Sequence, residues 1–194
     1  MLELTQVVVI PSRIPPHRVH GPAASTFHRF AMAALAVNDL KDVRVSDEEL
    51  AADGPSYTAR TLERIGARGF DRSQIFFISG ADAFAEIESW YRYPAVLELA
   101  HFVVVSRPGA PVAMLAERVP RLRDRMKAAH AVQDVPPHPS ILLVDAPTPD
   151  VSSTDIRRRV RAGETIQGLV PRGVESHILR HRLYAETPTA DHLQ

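Results

Sequence analysis

Short unbroken apolar runs, each stopped by a proline, a glycine or a charged residue, are what most limits the folds open to this chain. Gln6–Ile10 reads Gln-Val-Val-Val-Ile and ends at Pro11. Gln74–Ser79, His101–Ser106 and Ile141–Val144 are segments of the same kind. A strand with one wet face alternates polar and apolar residues. These runs do not alternate, so both faces are expected to be covered, as in a parallel sheet flanked by helices. A shorter strand is expected at Asp42–Val45. Helices are expected at Thr26–Asn38, after a Ser56 cap, at Tyr93–Ala100, and across Val112–Ala129 with a break at Pro120. A last helix is expected with Pro171 at its first position, followed by an apolar stripe of Val174 and Ile178. Strands alternating with helices predict an α/β fold with a doubly wound parallel sheet.

Composition narrows the partners. At 194 residues the chain has the length of one domain, taken as residues 1–185, with the polar stretch 186–194 as a flexible tail. Lys and Arg number 23 against 23 Asp and Glu, so an overall role on nucleic acid or a membrane surface has no support and any anion site must be local. The absence of cysteine excludes disulfides, thiolate metal sites and a cysteine nucleophile, and suits a cytoplasmic protein. No stretch is apolar for the roughly 18 residues a membrane span requires. No basic segment precedes an apolar one at the N-terminus, so no signal peptide is expected. A homo-oligomer is left open.

The most informative stretch is Val151-Ser-Ser-Thr-Asp-Ile-Arg-Arg-Arg-Val160, which follows the strand at Ile141–Val144. Ser152 is a good N-cap, with Asp155 placed to reach back to it. Ser153 and Thr154 put hydroxyls beside the free N–H groups of the first turn, and Arg157 lies one turn further in. Free N–H groups, helix dipole, hydroxyls and guanidinium together suit a phosphate. The alternative is a capped surface helix with solvated arginines. Other polar residues follow the remaining strands: His17 and Arg18 the first, Asp82 the third, Arg107 the fourth. In doubly wound sheets ligands bind at the carboxyl ends of the strands, so these positions together point to a nucleotide or phosphate pocket.

The residues then become recognisable. Pro15-Pro-His-Arg18, Gly54-Pro-Ser-Tyr-Thr58, Gly80-Ala-Asp-Ala-Phe84, Trp90-Tyr-Arg-Tyr93, His101 to Gly109, Ser152-Ser-Thr-Asp-Ile-Arg157 and Leu169-Val-Pro171 stand in order along the chain. Together they resemble the bacterial nicotinate-nucleotide adenylyltransferases, of the nucleotidyltransferase superfamily with a Rossmann-like fold. The Ser-Ser-Thr-x-Ile-Arg element names only the superfamily, whereas Gly-Pro-Ser-Tyr-Thr and the Gly-Ala-Asp to Trp spacing are more specific.

The resemblance implies adenylyl transfer from ATP to nicotinate mononucleotide, giving deamido-NAD and pyrophosphate, with Mg2+ on the triphosphate. It implies that His17, Arg18 and Arg157 act on the phosphates and that Arg107, Ser152, Ser153 and Thr154 bind ATP. It also implies that Asp82 accepts from a ribose hydroxyl, that Trp90 stacks on the pyridine ring, and that Thr58 and the Tyr91 amide meet the nicotinate carboxylate. Plainer readings stand beside these. His17 could be a solvated loop residue, Asp82 a helix cap and Trp90 a core anchor. Tyr57 and Phe84 read as packing. Arg92, Arg158, Arg159 and Arg161 read as solvated or paired. His177 and His181, four apart, lack the glutamate of a zinc-protease motif.

One departure matters. The family opens with a strand and a loop of the type Gly-Gly-Thr-Phe-Asp-Pro-x-His-x-Gly-His before a helix, and this sequence contains no such segment. The difference is roughly 25–30 residues, one strand–loop–helix unit. The resemblance implies that this loop's histidines stabilise the transferring phosphate. Either Met1 is an internal methionine of a longer enzyme, or the chain is a shortened protein that is weak or inactive. Rival readings are an adenylyltransferase for nicotinamide mononucleotide or phosphopantetheine, and a nucleotide-binding protein without catalysis.

Overall fold

The computed structural model describes residues 2, 4–16, 22–132 and 134–185. The chain divides into two compact units, Met1–Leu4 with Ser56–Asp150, and Thr5–Pro55 with Val151–Gln194. His17 and Arg18, and the tail at 186–194, lie outside the described residues.

The first unit is built on a four-stranded parallel sheet. Its strands are β3 (Phe76–Gly80), β4 (His101–Val105), β5 (Met126–Ala128) and β6 (Ile141–Val144), in the order β3-β4-β6-β5. The continuous apolar run of β4 is buried from His101 to Val104, as a central strand covered on both faces requires. Phe102 pairs with Phe77 of β3 and Ile141 of β6. Phe84, Phe102, Ile87, Leu97, Leu115 and Ile141 belong to one core on this sheet. On the other side Val103, Leu142 and Ala129 form a second cluster.

The second unit pairs β1 (Val7–Val9) with β2 (Val43–Val45) in parallel. Helices α1 (Thr26–Val37), α5 (Ser153–Arg161) and α6 (Arg172–Arg180) belong to it. Ile156, Ile166, Val174 and Ile178 make its core, so the expected stripe of Val174 and Ile178 is the buried face of α6. The loop after β1 is tied down from both sides. Arg29 of α1 donates to the carbonyls of Ser12 and Arg13, and Arg13 donates to the Ala52 carbonyl at 2.6 Å.

Several expectations need correction. Val8 is 36% exposed and no residue of β1 is buried, because this strand has one neighbour rather than two. Ser56 is not the cap of α2 (Thr58–Ala67); Tyr57 holds that position and makes no side-chain capping bond. The short helix expected at 93–100 is a 3-10 helix confined to Ala95–Glu98. In 112–129 only α4 (Leu115–Arg118) is α-helical, and the segment ends in strand β5. Three residues with a lysine in the middle carry no strand signal; pairing of Met126 with Ile141 and Ala128 with Leu143 imposes it. Pro171 is the N-cap of α6 and not its first residue. His28 of α1, distant in sequence, meets the His177 and His181 rings, with His28 Nδ1 3.1 Å from His177 Nε2. Burial, then the positive charges of His181 and His28, hold His177 below the usual imidazole range.

His101 is fully buried at the start of β4. Its ring stacks on Phe76, and its Nδ1 accepts the Ser140 N–H at 3.1 Å. Burial pushes its pKa below the usual value, although backbone groups at Ser73 and Pro136 work in the other direction. A base whose folded pKa is depressed leaves the unfolded chain binding more protons between the two values. Its contribution is therefore complete above the unfolded value of about 6.5 and is lost as pH falls below it. Urea midpoints should drop between pH 7.5 and 5.5. The drop should be shallower in His101→Gln, whose side chain does not titrate there, even though that variant starts lower. Parallel curves for the two proteins would remove His101 from the acid response.

Candidate active site

The carboxyl ends of β3 and β4 carry two of the expected residues. Gly80 closes β3 and is also the N-cap of α3 (Ala81–Phe84), so Asp82 lies in that helix's first turn and is not its cap. A Cβ on Gly80 would collide with Asp82 Oδ1 and stand 3.1 Å from Arg107 Cγ. The missing side chain is thus what lets the Asp82 carboxylate and the Arg107 side chain close in on this backbone. Arg107 begins a tight turn after β4. Its N–H donates to the Ala110 carbonyl at 3.1 Å, its carbonyl accepts from Ala110 at 2.8 Å, and Gly109 takes a φ of 77°. The same sheet end is braced by Ser106, whose hydroxyl donates to Asp145 at 2.7 Å and accepts the Val112 N–H at 3.1 Å.

A second group lies around the start of α2. Thr58 is its first residue. The Tyr57 ring stacks on Tyr91, with centroids 4.4 Å apart and planes inclined by 25°. The Arg60 guanidinium carbon is 5.4 Å from both centroids. Tyr57, expected only to pack, and Arg60, not singled out by the sequence, are the residues missed here. The available signal was their spacing: three apart at the start of a helix places them on one face. The Tyr91 amide has no backbone acceptor among the described residues. Arg92, in the left-handed region at φ 64°, pairs with Glu63. Trp90 meets Phe77 and Phe102 edge-on, at 5.9 and 6.4 Å between centroids, and is half-buried at the border of the core.

In the second unit, α5 starts where the sequence places it. Ser152 is the N-cap, and its Oγ accepts the Asp155 N–H at 3.1 Å. Asp155 does not reach back to the cap. Its carboxylate turns along the helix to Arg159 at 2.7 Å and Arg158 at 3.0 Å, and these guanidiniums hold it below the usual carboxylate range. Arg158 also reaches Glu164 at 2.7 Å. Ser153 and Thr154 are exposed, and Arg157 donates to Thr154 Oγ1 at 3.1 Å. Arg158 and Arg159 are neutralised by carboxylates, and Arg157 has no carboxylate partner among the described residues. The groups there are hydroxyls, N–H donors and a guanidinium, a set made for phosphate oxygens. Among the described residues no three His, Asp or Glu side chains are arranged to hold a metal ion. No described helix is long and apolar enough to cross a membrane.

Comparison with known proteins gives the family of the chain. The family profile of the cytidylyltransferase-like proteins matches residues 1–159. A probable nicotinate-nucleotide adenylyltransferase of Desulfatibacillum aliphaticivorans is 36% identical over 93% of this chain and 86% of its own length. Proteins of the same description from Roseiflexus sp. (strain RS-1) and Pectobacterium atrosepticum are each 37% identical, over 94% and 95% of the chain and 84% and 86% of their own lengths. Among solved structures, the Plasmodium falciparum nicotinic acid mononucleotide adenylyltransferase complexed with NaAD superposes with a TM-score of 0.67 at 14% identity. That match covers 93% of this chain and 82% of the other, and at such identity it speaks for the Rossmann-like fold. The chain belongs to the cytidylyltransferase-like family and, within it, to the nicotinate-nucleotide adenylyltransferases.

Proposed function

We propose that this protein transfers the adenylyl group of ATP to nicotinate mononucleotide, releasing deamido-NAD and pyrophosphate. What carries the reading is the placing of Asp82 and Arg107 about Gly80, at strand ends of a chain that matches such enzymes over nearly its whole length. An oxygen of the acceptor's 5′-phosphate forms the new bond to the α-phosphorus, and the bond from that phosphorus to the α–β bridging oxygen breaks. No covalent link to the protein is needed, so catalysis is positioning and charge stabilisation.

The roles are those the resemblance implies at the matched motifs, and the side-chain chemistry suits them. Arg157, with the Ser152, Ser153 and Thr154 groups, takes the phosphates that leave. Arg107 supplies charge to the bound nucleotides, and Asp82 accepts from a ribose hydroxyl. The part of Trp90 left open stacks on pyridine, and the Tyr91 amide and Thr58 hydroxyl donate to the nicotinate carboxylate. A carboxamide would also need an acceptor there. His17 and Arg18, outside the described residues, are assigned the phosphate role that the resemblance implies for them. The donors at the α5 start fit phosphate oxygens, so Arg157 and the Ser152, Ser153 and Thr154 groups would hold the triphosphate that carries Mg2+. With the triphosphate bound, the ion would supply neutralisation of phosphate charge. Use of ATP suits a cytoplasmic location.

With Mg2+ and ATP, the 194-residue protein should release pyrophosphate with nicotinate mononucleotide faster than with nicotinamide mononucleotide or phosphopantetheine. Binding of ATP by calorimetry without any dinucleotide product would favour the non-catalytic reading instead. Arg157→Ala removes one charge-assisted contact and should lower kcat/KM for ATP by about 10- to 100-fold. Its thermal midpoint should barely change, because the side-chain hydrogen bond of Arg157 among the described residues goes to the exposed Thr154. Gly80→Ala should fold, since φ −73° and ψ 151° suit alanine. The new Cβ displaces Asp82, however, and turnover should fall about tenfold as a misplaced group predicts. Unchanged turnover in that variant would exclude Asp82 from the site.

A further inference from the structure

We propose that Arg60 sets the preference for an acidic over a neutral pyridine nucleotide, an inference that rests on the reading of Thr58 and Tyr91 as the nicotinate end of the site. The guanidinium of Arg60 lies 5.4 Å from the centroids of both Tyr57 and Tyr91, and those rings stack at 4.4 Å. The guanidinium sits beside the stacked pair, within cation–π reach of both rings, and so beside Tyr91 itself. Neighbouring charge is treated differently. Arg92 is closed by Glu63, whereas Arg60 has no carboxylate partner among the described residues. An aromatic clamp fixes a guanidinium in place without neutralising it, which an ion pair cannot do.

The consequence is selective. Nicotinate carries a carboxylate on its pyridine ring, nicotinamide an uncharged amide, and the two nucleotides share the same ribose and 5′-phosphate. A positive charge several ångströms from the ring substituent stabilises only the acid, and at an exposed site this attraction is screened to a modest factor. A cation acting on the shared phosphate would instead favour both nucleotides equally. Arg60 is thus a specificity-determining residue that no step of the transfer itself requires.

The test is calorimetric binding of nicotinate mononucleotide and nicotinamide mononucleotide to the full chain, with wild type, Arg60→Gln and Arg60→Lys. In wild type the acid should bind tighter, and added salt should weaken the acid more than the amide. Arg60→Gln should weaken the acid about five- to tenfold while leaving the amide within about twofold, and Arg60→Lys should restore most of the preference. Circular dichroism confirms that each variant is folded. An unchanged acid-to-amide ratio in folded Arg60→Gln overturns the inference, as does an equal loss for both ligands. If Arg60→Gln does not fold, Arg60→Lys decides through its salt dependence, and equal salt dependence for acid and amide overturns the inference. If wild type binds neither nucleotide, or both alike, the nicotinate reading itself fails, an outcome separate from any effect of Arg60.

Discussion

Strand β4 can exist only if it is covered on both faces and paired on both edges. His101, Phe102, Val103 and Val104 are all buried, on alternating sides, between β3 and β6. Phe102 fills one face with Phe84 and Phe77, and Val103 fills the other with Leu142. Transferring side chains of this size from water contributes about 1.5–3 kcal/mol each, before the loss of chain entropy is set against it. The polar residues of the site depend on that burial. Arg107 starts its turn two residues beyond β4, and Ser106 joins the turn to Asp145, so the direction of these side chains is inherited from a strand that has no freedom to shift.

Charge is used in two ways. Arg158 and Arg159 are closed by Asp155, Arg158 also by Glu164, and Arg125 by Glu98. These pairs are exposed and contribute little to stability, but they remove cations from the surface. Arg60, Arg107 and Arg157 have no such carboxylate pairing among the described residues. Surface arginines such as Arg121 share that property, so want of a partner is not by itself a mark of function. Arg107 and Arg157 are set apart by position, at a strand end and a helix start, and Arg60 by the two tyrosine rings beside it.

How much was legible follows from which forces act locally. Apolar runs and caps are local: the strands near residues 76–80, 101–105 and 141–144 and the helix capped by Ser152 stand where the sequence places them. Asp155 went elsewhere because two guanidiniums on its own helix outbid a neutral N–H for its carboxylate. Strand β5 was hidden because Met126-Lys127-Ala128 becomes a strand only through its neighbour. The meeting of His28 with His177 and His181, and the stack of Tyr57 on Tyr91, join residues that no spacing rule connects. Of the candidate site, the types and places of Asp82, Arg107, Thr154 and Arg157 were readable, and the company they keep was not.

Trp90 is the protein's sole tryptophan, set edge-on against Phe77 and Phe102 within the first unit. The fluorescence of this chain is therefore a private signal of that unit. Far-ultraviolet dichroism, by contrast, sums over the helices of both, including α1, α5 and α6 of the second. Melting curves recorded by the two methods coincide if the units unfold as one cooperative body and separate if they do not. The place of one indole thus makes the cooperativity of the whole chain readable without any label.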